Sequence, residues 1–540
     1  MSVVKKTIDC LLIGNNQMSF SKYVDYMSSM GDTSGAFRDV NLSFYKKDEV
    51  IYSARDHFNN YHKKNNESLM TYDNIFSATI AYLGTFLNKN GLSFDYINSF
   101  QEEKGKLKEL LVNNEVRTVA VTTTYYVASL PILDVIEFIR KYNTDTKIII
   151  GGPYLTTQYE IMTSDSFRYL LRQLNADFYV KSAQGEAALA EIVKAVKAGS
   201  GYDHINNIIY HNGLHYTFSH FAEENNKLED NIVDWQLFKD DFVDNPRKMV
   251  MVRTVISCPF ACSFCSFPSH AGAYRYLEEE LFFRELDQIA KIDTINSVTF
   301  IDDTFNVPKK RFRNILNIFI EKDYDFEWNC NYRCQYATEE DVIKMKQAGC
   351  VGVFLGIESG SDAILKNMNK KSRAAQYKKG IELLKKHGIL TYASFIVGFP
   401  GETEETIRET IELIETAKPD FFRIQLWYYD TMTPIHQKAE QYGLQNSQFE
   451  WKHNTMDSVE AANWIDYMHE NVENSVWLPQ NDFDYPSLFN LISRGWTMEQ
   501  IKTMLSEFNL NVSHKLDVVD NAPVVQSQLA SNVESVDFDF

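Results

Sequence analysis

Residues 249–265, Met-Val-Met-Val-Arg-Thr-Val-Ile-Ser-Cys-Pro-Phe-Ala-Cys-Ser-Phe-Cys, join an apolar run to a loop that holds three cysteines. The run Met249 to Ile256 has the length and the β-branched content of a buried strand. Cys258, Cys262 and Cys265 fall within eight positions directly after it. Three soft sulfur ligands in one loop indicate a metal centre.

The number of cysteines in this loop separates two kinds of metal site. A structural zinc site takes four protein ligands, and no Cys or His pair stands at the usual spacing to complete one, although His270 could reach back. A four-iron, four-sulfur cluster held by three cysteines instead leaves one iron open. The motif therefore favours an iron–sulfur cluster bound by Cys258, Cys262 and Cys265.

Strand-like runs and helical stretches alternate from Lys248 to about Tyr429. Six strand–helix units in this order predict a partial (β/α)6 barrel of the TIM type, with active groups at the carboxyl ends of its strands. The predicted strands are Met249 to Ile256, Ser297 to Ile301, Phe326 to Asn329, Val351 to Gly356, Thr391 to Val397 and Phe421 to Trp427.

The region before the barrel, from Thr7 to about Gly199, shows a second alternation of this kind. Continuous apolar runs predict parallel strands covered on both faces, and therefore a doubly wound, Rossmann-like domain. Its predicted strands are Ile8 to Ile13, Thr118 to Thr122, Lys147 to Ile150 and Asp177 to Val180. Small or hydroxyl residues at three strand ends favour a flat or nucleotide-like cofactor there, because ligands bind outside these ends.

The remaining stretches complete the predicted organisation. The domain of residues 1–200 carries an insertion at about 31–66 with little periodicity, and residues 201–247 form a hairpin, with Asn212-Gly213 as its turn, and a linker. The barrel spans residues 248–440. Residues 441–510, with helices from Ser458 to Glu470 and from Met498 to Phe508, form a helical cap, and residues 511–540 form a flexible tail.

Composition excludes several classes of protein. Among 540 residues, 73 Asp and Glu exceed 54 Lys and Arg, and the net charge of −19 argues against nucleic-acid or membrane partners. No run approaches the roughly 20 apolar residues that cross a bilayer. The odd count of seven cysteines fits a reducing compartment, so a soluble, cytoplasmic protein is expected. The cysteines at 330, 334 and 350 are interpreted as buried and without a role.

The C-x3-C-x2-C loop, with the aromatic Phe264 before its last cysteine, resembles the signature of the radical S-adenosylmethionine (SAM) enzymes. In that family the open iron chelates SAM, and an electron from the cluster cleaves the sulfonium to give a 5′-deoxyadenosyl radical. The resemblance implies that residues at later strand ends contact SAM, since carboxylates, an arginine and glycines suit its polar groups and adenine. The implied contacts are Phe264, Asp302, Arg333, Glu358, Ser359, Gly398 and Gln425.

A doubly wound domain before such a barrel resembles the arrangement of the cobalamin-dependent radical SAM enzymes. The segments 148–153 and 184–186 are similar to the loops of that group. The implied cobalamin contacts are Thr122, Thr123, Gly151, Gly152, Gln184, Gly185 and Glu186. The Asp-x-His-x-x-Gly loop of some cobalamin proteins is absent, because no such glycine follows Asp56-His57, which implies cobalamin without a histidine lower ligand.

Within that group the chain resembles the phosphinothricin-type P-methyltransferases. The similar segments are 9–14, 81–85, 98–103 and 426–429. This resemblance implies transfer of methyl from SAM, via methylcobalamin, to an unactivated carbon or phosphinate phosphorus of a natural-product or ribosomal-peptide substrate. It also implies the use of a second SAM as the radical source and a low-potential electron donor such as flavodoxin or ferredoxin.

Two other functions stay open at this point. A radical SAM enzyme of the same architecture could form a ring, rearrange its substrate or make a carbon–sulfur bond instead of methylating it. A non-catalytic metal-binding scaffold is the third possibility, and the polar strand ends argue against it.

Overall fold

The computed structural model describes residues 5–16, 19–65, 69–71, 75–124, 126, 128–224, 226–244 and 248–520. Two seven-stranded sheets organise these residues, one before residue 220 and one between residues 249 and 477. Both sheets are largely parallel and are covered by helices, so the α/β class predicted from the alternating apolar runs is confirmed.

The first sheet belongs to the doubly wound domain. Strands of the N-terminal region are β1 (Thr7–Asn15), β2 (Phe44–Lys47), β3 (Val50–Ser53), β4 (Phe94–Ser99), β5 (Glu115–Thr122), β6 (Lys147–Gly151), β7 (Phe178–Val180), β8 (Ile208–His211) and β9 (Tyr216–Phe218). The sheet order is β4-β1-β5-β6-β7-β8-β9, with parallel pairing from β4 to β7 and antiparallel pairing beyond β7. The predicted hairpin around Asn212-Gly213 is β8–β9.

Strand β1 shows why this domain has two apolar layers. Seven of its nine residues are buried in succession. Cys10 and Leu12 pack in a core that also contains the barrel strands, whereas Leu11 and Ile13 pack in a second core on the opposite face. A parallel sheet covered on both faces requires this continuous apolar pattern. The edge strand β4 is absent from the sequence prediction because Asp95, Asn98 and Ser99 interrupt its apolar run.

Helices cover this sheet, and two of them, α2 and α3, lie in the region predicted as an insertion. They are α1 (Phe20–Ser28), α2 (Gly35–Asn41), α3 (Ala54–Asn65), α4 (Ala78–Lys89), α5 (Lys104–Asn113), α6 (Leu130–Tyr142), α7 (Pro153–Ile161), α8 (Ser164–Leu174) and α9 (Glu186–Ala198). The stretch 31–66 therefore has regular structure, with α2, the β2–β3 hairpin and α3, while its last residue, Asn66, lies outside the described residues. Aromatic side chains of this stretch pack on the C-terminal region; the rings of Phe58 and Phe483, for example, lie 5.0 Å apart between centroids. Such a tertiary contact leaves no periodic signal in the local sequence.

The second sheet is the predicted partial barrel with one more strand. The strands from residue 249 onward are β10 (Met249–Val252), β11 (Val255–Ile256), β12 (Arg275–Tyr276), β13 (Ser297–Phe300), β14 (Glu327–Asn331), β15 (Cys350–Glu358), β16 (Leu390–Val397), β17 (Phe421–Leu426), β18 (Lys452–His453), β19 (Met456–Asp457) and β20 (Val476–Trp477). The sheet order is β10-β13-β14-β15-β16-β17-β20, parallel throughout. The predicted first strand is divided, because β11 leaves this sheet and pairs with β12.

Helices cover the barrel and build the C-terminal cap. They are α10 (Lys239–Asp244), α11 (Phe267–Ala271), α12 (Glu279–Ile289), α13 (Lys309–Lys322), α14 (Glu339–Gln347), α15 (Asp362–Asn367), α16 (Ala374–Lys386), α17 (Glu404–Ala417), α18 (Ala439–Tyr442), α19 (Ser458–Asn471), α20 (Tyr485–Ser493) and α21 (Met498–Asp520). Short 3₁₀ helices are Leu228–Asn231, Trp235–Leu237, Cys334–Tyr336 and Pro434–Lys438.

The end of α21 differs from the sequence prediction. The helix was expected to end at Phe508 and the tail to begin at residue 511, but α21 continues to Asp520. Val512 is fully buried, and Lys515 donates hydrogen bonds to Phe44 O at 2.8 Å and Asn41 Oδ1 at 2.9 Å. These contacts stabilise the part of α21 that follows Phe508, where the sequence has no strong apolar pattern. The rest of the predicted tail, residues 521–540, lies outside the described residues.

The two sheets share one continuous apolar core. Leu12, Ala120 and Ile149 of the first sheet belong to the same buried cluster as Val250 and Val353 of the second. A parallel bridge pairs Ile75 with Met249, the first residue of β10. The doubly wound domain and the barrel therefore pack directly against each other. Among the helices in the described ranges, none has the length and apolar character needed to cross a membrane.

Candidate active site

A cavity of about 1130 Å³ lies where the carboxyl ends of the two sheets face each other. Thr122 and Gly151 line it from β5 and β6, while Arg253 and Cys265 line it from the barrel. Tyr485 closes it from the cap. A single small ligand usually occupies roughly 300–1000 Å³, so this space is large enough for more than one small molecule.

The N-terminal wall contains six of the seven residues that the cobalamin resemblance implies. They are Thr122, Gly151, Gly152, Gln184, Gly185 and Glu186. Thr123 is fully buried behind Gly152 and donates from Oγ1 to Gly151 O at 3.0 Å. Gly152 has φ +118°, and a Cβ there would lie 2.7 Å from Thr123 Oγ1. Only glycine fits this position, so backbone rather than side chain forms this part of the wall.

The loop after β7 is held by hydrogen bonds to Asn226. Asn226 N donates to Gln184 Oε1 at 2.9 Å, and Asn226 Nδ2 donates to Glu186 Oε2 at 3.1 Å. Gly185 precedes α9 with φ +78°, a left-handed conformation that suits glycine. Burial raises the pKa of Glu186 above its ordinary value. The loop is thus fixed before any ligand binds.

The cysteine loop forms the rim on the barrel side. Cys262 is buried, Cys258 and Cys265 are half-buried, and both Phe264 and Cys265 line the cavity. Burial raises the pKa of the Cys258 thiol and raises that of Cys265 to about 11. The other two thiols and Asp303 add to the increase at Cys265, so the three sulfurs and this carboxylate share one electrostatic environment.

The ligand chemistry of these groups suits an iron–sulfur cluster, whose irons bind thiolates. In the part of the chain that the structure describes, no three His, Cys, Asp or Glu side chains converge tightly enough to ligate one metal ion. A four-iron, four-sulfur cluster binds each cysteine through a different iron, so its sulfur ligands stand farther apart than those of one ion. The loop could therefore hold a cluster with Cys258, Cys262 and Cys265.

Asp302 supports the loop and does not line the cavity. Its carboxylate accepts hydrogen bonds from the backbone N of Thr254 at 2.6 Å and of Val255 at 2.9 Å, and from the Thr254 hydroxyl. The Arg311 guanidinium donates to Thr254 Oγ1 at 3.0 Å. Burial raises the pKa of Asp302. The Asp302 carboxylate thus braces the chain leading into the cysteines, and its contact with SAM stays a prediction.

Asp303 is the carboxylate that this strand end presents to the cavity. Asp303 is exposed to solvent as a residue, while the protein packed around its carboxyl group partly desolvates that group. Burial, with a further contribution from the Asp302 carboxylate, raises the pKa of Asp303 to about 7. Near neutral pH the group can either donate or accept a hydrogen bond. The sequence identifies the pair of carboxylates but not which one faces inward.

Replacing Asp302 should therefore affect stability and iron binding together. In Asp302→Ala the amides of Thr254 and Val255 lose their acceptor inside the protein, which should lower the free energy of unfolding by about 3 kcal/mol. Denaturant unfolding and iron content after anaerobic reconstitution measure the two effects. Asp303→Asn is the matched control, because it changes the adjacent carboxylate without removing these bonds. Equal stability of the Asp302→Ala and wild-type proteins would contradict this role.

Arg333 and Glu358 also lie behind the cysteine loop and do not line the cavity. The Arg333 guanidinium stands 3.7 Å from the centroid of the Phe260 ring and donates to Lys370 O at 2.9 Å. Glu358 has φ +71° and forms an ion pair with Lys370 at 2.7 Å. Lys370 Nζ lies 5.5 Å from the Phe264 ring. These two expected SAM contacts are therefore engaged with the loop and its neighbours.

The other three expected SAM contacts are held within the protein too. Ser359 is fully buried and accepts a hydrogen bond from Ser361 N at 3.1 Å. A Cβ at Gly398, which has φ +96°, would lie 2.5 Å from the Trp451 ring. Gln425 Nε2 donates to Gln480 Oε1 at 2.7 Å, and only the latter residue lines the cavity. Of the seven expected contacts, Phe264 alone lines this cavity.

Arg253 and Asp482 are among the cavity residues that the sequence prediction does not include. Arg253 at the end of β10 has its guanidinium 4.7 Å from the Tyr82 ring, and its buried Nε has no partner among the described residues. The sequence prediction places Arg253 inside a single strand, Met249 to Ile256, so the strand-end rule does not identify it. Asp482 in the cap forms an ion pair with Arg55 at 3.1 Å, and burial raises the pKa of Asp482 to about 7. This pair joins distant parts of the chain, so no local sequence signal marks it.

Comparison with known proteins gives the family of this site. Residues 252–414 match the family model of the Radical SAM superfamily. Over 448 residues the chain is 23% identical to the anaerobic magnesium-protoporphyrin IX monomethyl ester cyclase of Rubrivivax gelatinosus, covering 79% of this chain and 78% of that protein. The region that matches the family model begins at residue 252, just before the cysteine loop.

Two solved structures show the same fold. One is the radical S-adenosylmethionine methyltransferase TsrM from Kitasatospora setae, with cobalamin and a [4Fe-4S] cluster bound (TM-score 0.56, 18% identity, 72% of this chain and 79% of that chain). The other is the cobalamin-dependent S-adenosylmethionine radical enzyme OxsB, with aqua-cobalamin and SAM bound (TM-score 0.55, 14% identity, 91% of this chain and 61% of that chain). Residues 252–414 thus carry a Radical SAM domain, the chain is an enzyme, and its fold is similar to that of these two solved structures.

Proposed function

We propose that the protein is a cobalamin-dependent radical SAM methyltransferase. It transfers a methyl group from SAM to an unactivated carbon, or to phosphinate phosphorus, of a natural-product or ribosomal-peptide substrate. The observation that carries the proposal is the shared cavity, which has three strand ends of the doubly wound domain on one side and the cysteine loop on the other. This arrangement brings two cofactor sites to one substrate.

The residues present fit both cofactors. Cys258, Cys262 and Cys265 would hold the cluster, and the glycine-lined wall at Gly152 and Gly185 would admit the flat face of a corrin ring. When bound, the cluster supplies an electron and an open iron for SAM, and cobalamin supplies a carrier for methyl. The protein's own contribution is to fix the relative positions of these groups and to exclude water from the cavity.

Charged cavity residues would orient the polar parts of the ligands. Arg253, with its unpartnered Nε in the described chain, suits an anionic group such as a phosphate or carboxylate. Asp303 suits the ribose hydroxyls or the amino group of SAM because it can accept a hydrogen bond close to the cysteines. Phe264 would pack against the bound SAM. Arg333 and Glu358 would act indirectly, by supporting the cysteine loop.

The residues that line the cavity indicate whether a histidine is placed to bind cobalt as its lower ligand. Among the lining residues that the structure describes, His270 is the only histidine, and it belongs to α11 after the cysteine loop. His57 lies on α3, where Nδ1 is 3.1 Å from the Tyr45 hydroxyl, and does not line the cavity. As far as the structure describes it, the N-terminal wall has no imidazole for cobalt, so we expect cobalamin to bind without a histidine lower ligand.

Isotope labelling tests this expectation. Protein made with ¹⁵N-labelled histidine and loaded with cobalt(II) cobalamin should show no ¹⁵N coupling at cobalt in pulsed electron paramagnetic resonance. His57→Ala should leave the cobalt spectrum unchanged, since its ring lies outside the cavity. A clear ¹⁵N coupling, lost in either His57→Ala or His270→Ala, would show that a histidine does bind the metal.

Anaerobic turnover with methyl-labelled SAM tests the function itself. Methylation should give labelled product together with S-adenosylhomocysteine and 5′-deoxyadenosine, because SAM serves both as methyl donor and as radical source. Candidate acceptors are peptides encoded beside the protein's own gene, or small molecules made by enzymes encoded there. A product without label, formed with 5′-deoxyadenosine alone, would instead support ring formation, rearrangement or carbon–sulfur bond formation. The similarity to a cyclase over 79% of the chain is the observation that favours ring formation among these.

A further inference from the structure

The outer side of the cysteine loop carries concentrated positive charge on an otherwise acidic protein. The net charge of the chain is −19. Two short stretches, 309–313 (Lys-Lys-Arg-Phe-Arg) and 366–373 (Lys-Asn-Met-Asn-Lys-Lys-Ser-Arg), together contain eight Lys or Arg and no Asp or Glu. The charge of these stretches is therefore opposite to that of the protein as a whole.

Ring contacts place the first stretch beside the loop. Lys309 Nζ lies 4.9 Å from the centroid of the Tyr336 ring. The Tyr336 ring stacks on Phe260, two residues after the first cysteine, at 6.5 Å between centroids. The start of α13 thus flanks the loop on one side.

Hydrogen bonds place the second stretch on the same loop. Asn369 Nδ2 donates to Ala261 O at 2.6 Å, and Ser263 N donates to Met368 O at 2.9 Å. Pro259 and Ala261 between the first two cysteines are exposed. The cysteine loop therefore reaches the surface between the two basic stretches.

Most of these cations are free to attract a partner. Three of the eight have side-chain partners in the protein: Arg311 bonds to Thr254, Lys370 pairs with Glu358, and the exposed Arg313 pairs with Asp341. The other five are exposed, and none forms an ion pair with a residue that the structure describes. We call them the basic collar: Lys309, Lys310, Lys366, Lys371 and Arg373. The exposed carboxylate of Asp362 lies nearby and accepts a hydrogen bond from Ala374 N at 2.8 Å.

We propose that the basic collar is the docking site of a small acidic electron-transfer protein with a low-potential one-electron redox group. The inference rests on the proposed function, since it needs a cluster at Cys258, Cys262 and Cys265. Docking would bring the donor's reduced group over the exposed part of the loop. One electron then leaves the donor, which is oxidised, and enters the cluster, which is reduced. Opposite charge would speed the encounter and orient the donor, while the acidic remainder of the surface would repel it.

Charge reversal of the collar tests this proposal with an acidic flavodoxin as the probe. The variant Lys309→Glu/Lys310→Glu/Lys366→Glu/Lys371→Glu should bind the flavodoxin at least about tenfold more weakly than wild type by calorimetry. Added salt should weaken wild-type binding and have little effect on the variant. A matched control reverses four exposed lysines elsewhere, with the substitutions Lys22→Glu, Lys141→Glu, Lys239→Glu and Lys291→Glu, and should bind nearly as wild type.

A chemical reductant separates this inference from the proposed function. With dithionite, which needs no docking site, the collar variant should form 5′-deoxyadenosine at the wild-type rate, whereas with flavodoxin its rate should fall in parallel with binding. Equal weakening in the control variant, or undiminished flavodoxin binding in the collar variant, would overturn the docking site. Failure of wild type to bind flavodoxin while active with dithionite would do the same. Failure of wild type with dithionite would instead contradict the proposed function.

Discussion

Replacing Cys258, Cys262 and Cys265 together by alanine is expected to abolish both iron binding and SAM cleavage. The three thiols share one loop at the cavity rim, and their side chains are the ligands that an iron–sulfur cluster requires. Without them SAM would have no open iron to bind. Iron and sulfide content after anaerobic reconstitution, together with 5′-deoxyadenosine formation, measure this loss.

The remaining cysteines provide the control for this experiment. Cys330 and Cys350 are fully buried on neighbouring barrel strands, and burial raises the pKa of both thiols. Cys330→Ala/Cys350→Ala should keep its iron and its SAM cleavage, with some loss of stability from the smaller side chains. Iron and SAM cleavage retained in the triple variant would refute the assigned ligands.

Substituting leucine for Gly185 is expected to weaken cobalamin binding while leaving the cluster intact. Gly185 lines the cavity at the start of α9, and a Cβ there would already lie 3.3 Å from Val180 Cγ1. A leucine that occupies the space of the corrin makes cobalamin binding bear the overpacking cost of about 1–3 kcal/mol, which corresponds to about a 5- to 150-fold loss of affinity. Equilibrium binding of cobalamin to the reconstituted protein measures the effect.

The other end of the same helix supplies a matched control. Gly199 follows α9 with φ +63°, close to the +78° of Gly185, but no atom lies within 4 Å of a Cβ built there. Gly199→Leu therefore introduces a similar backbone strain away from the cavity, and it should bind cobalamin as wild type does. Equal affinities in Gly185→Leu and wild type would place the cofactor elsewhere.

The sequence predicts those features that depend on local pattern. Continuous apolar runs predict the parallel strands because each strand must be buried on both faces, and β1 shows this directly. Glycines at the end of β6 predict the cavity wall at Gly151 and Gly152. In the structure, position 152 has a positive φ and Thr123 leaves no room there for a side chain. The cysteine loop is predicted by spacing alone.

Features that depend on distant contacts escape the sequence. Asp302 and Glu358 stand at strand ends, as ligand contacts do, but Thr254 and Lys370 engage their carboxylates. The partner of each carboxylate comes from another part of the chain, so the strand-end rule cannot separate a ligand contact from a brace. The Arg55–Asp482 pair joins α3 to the cap for the same reason.

The most direct test of the shared cavity is a crystal structure of the anaerobically reconstituted protein with cobalamin and SAM. We expect corrin density against the ends of β5, β6 and β7, and a cluster on the cysteine loop facing the same cavity. Density for the corrin outside this cavity, or cysteine side chains that turn away from it, would show that the two cofactors do not share the cavity.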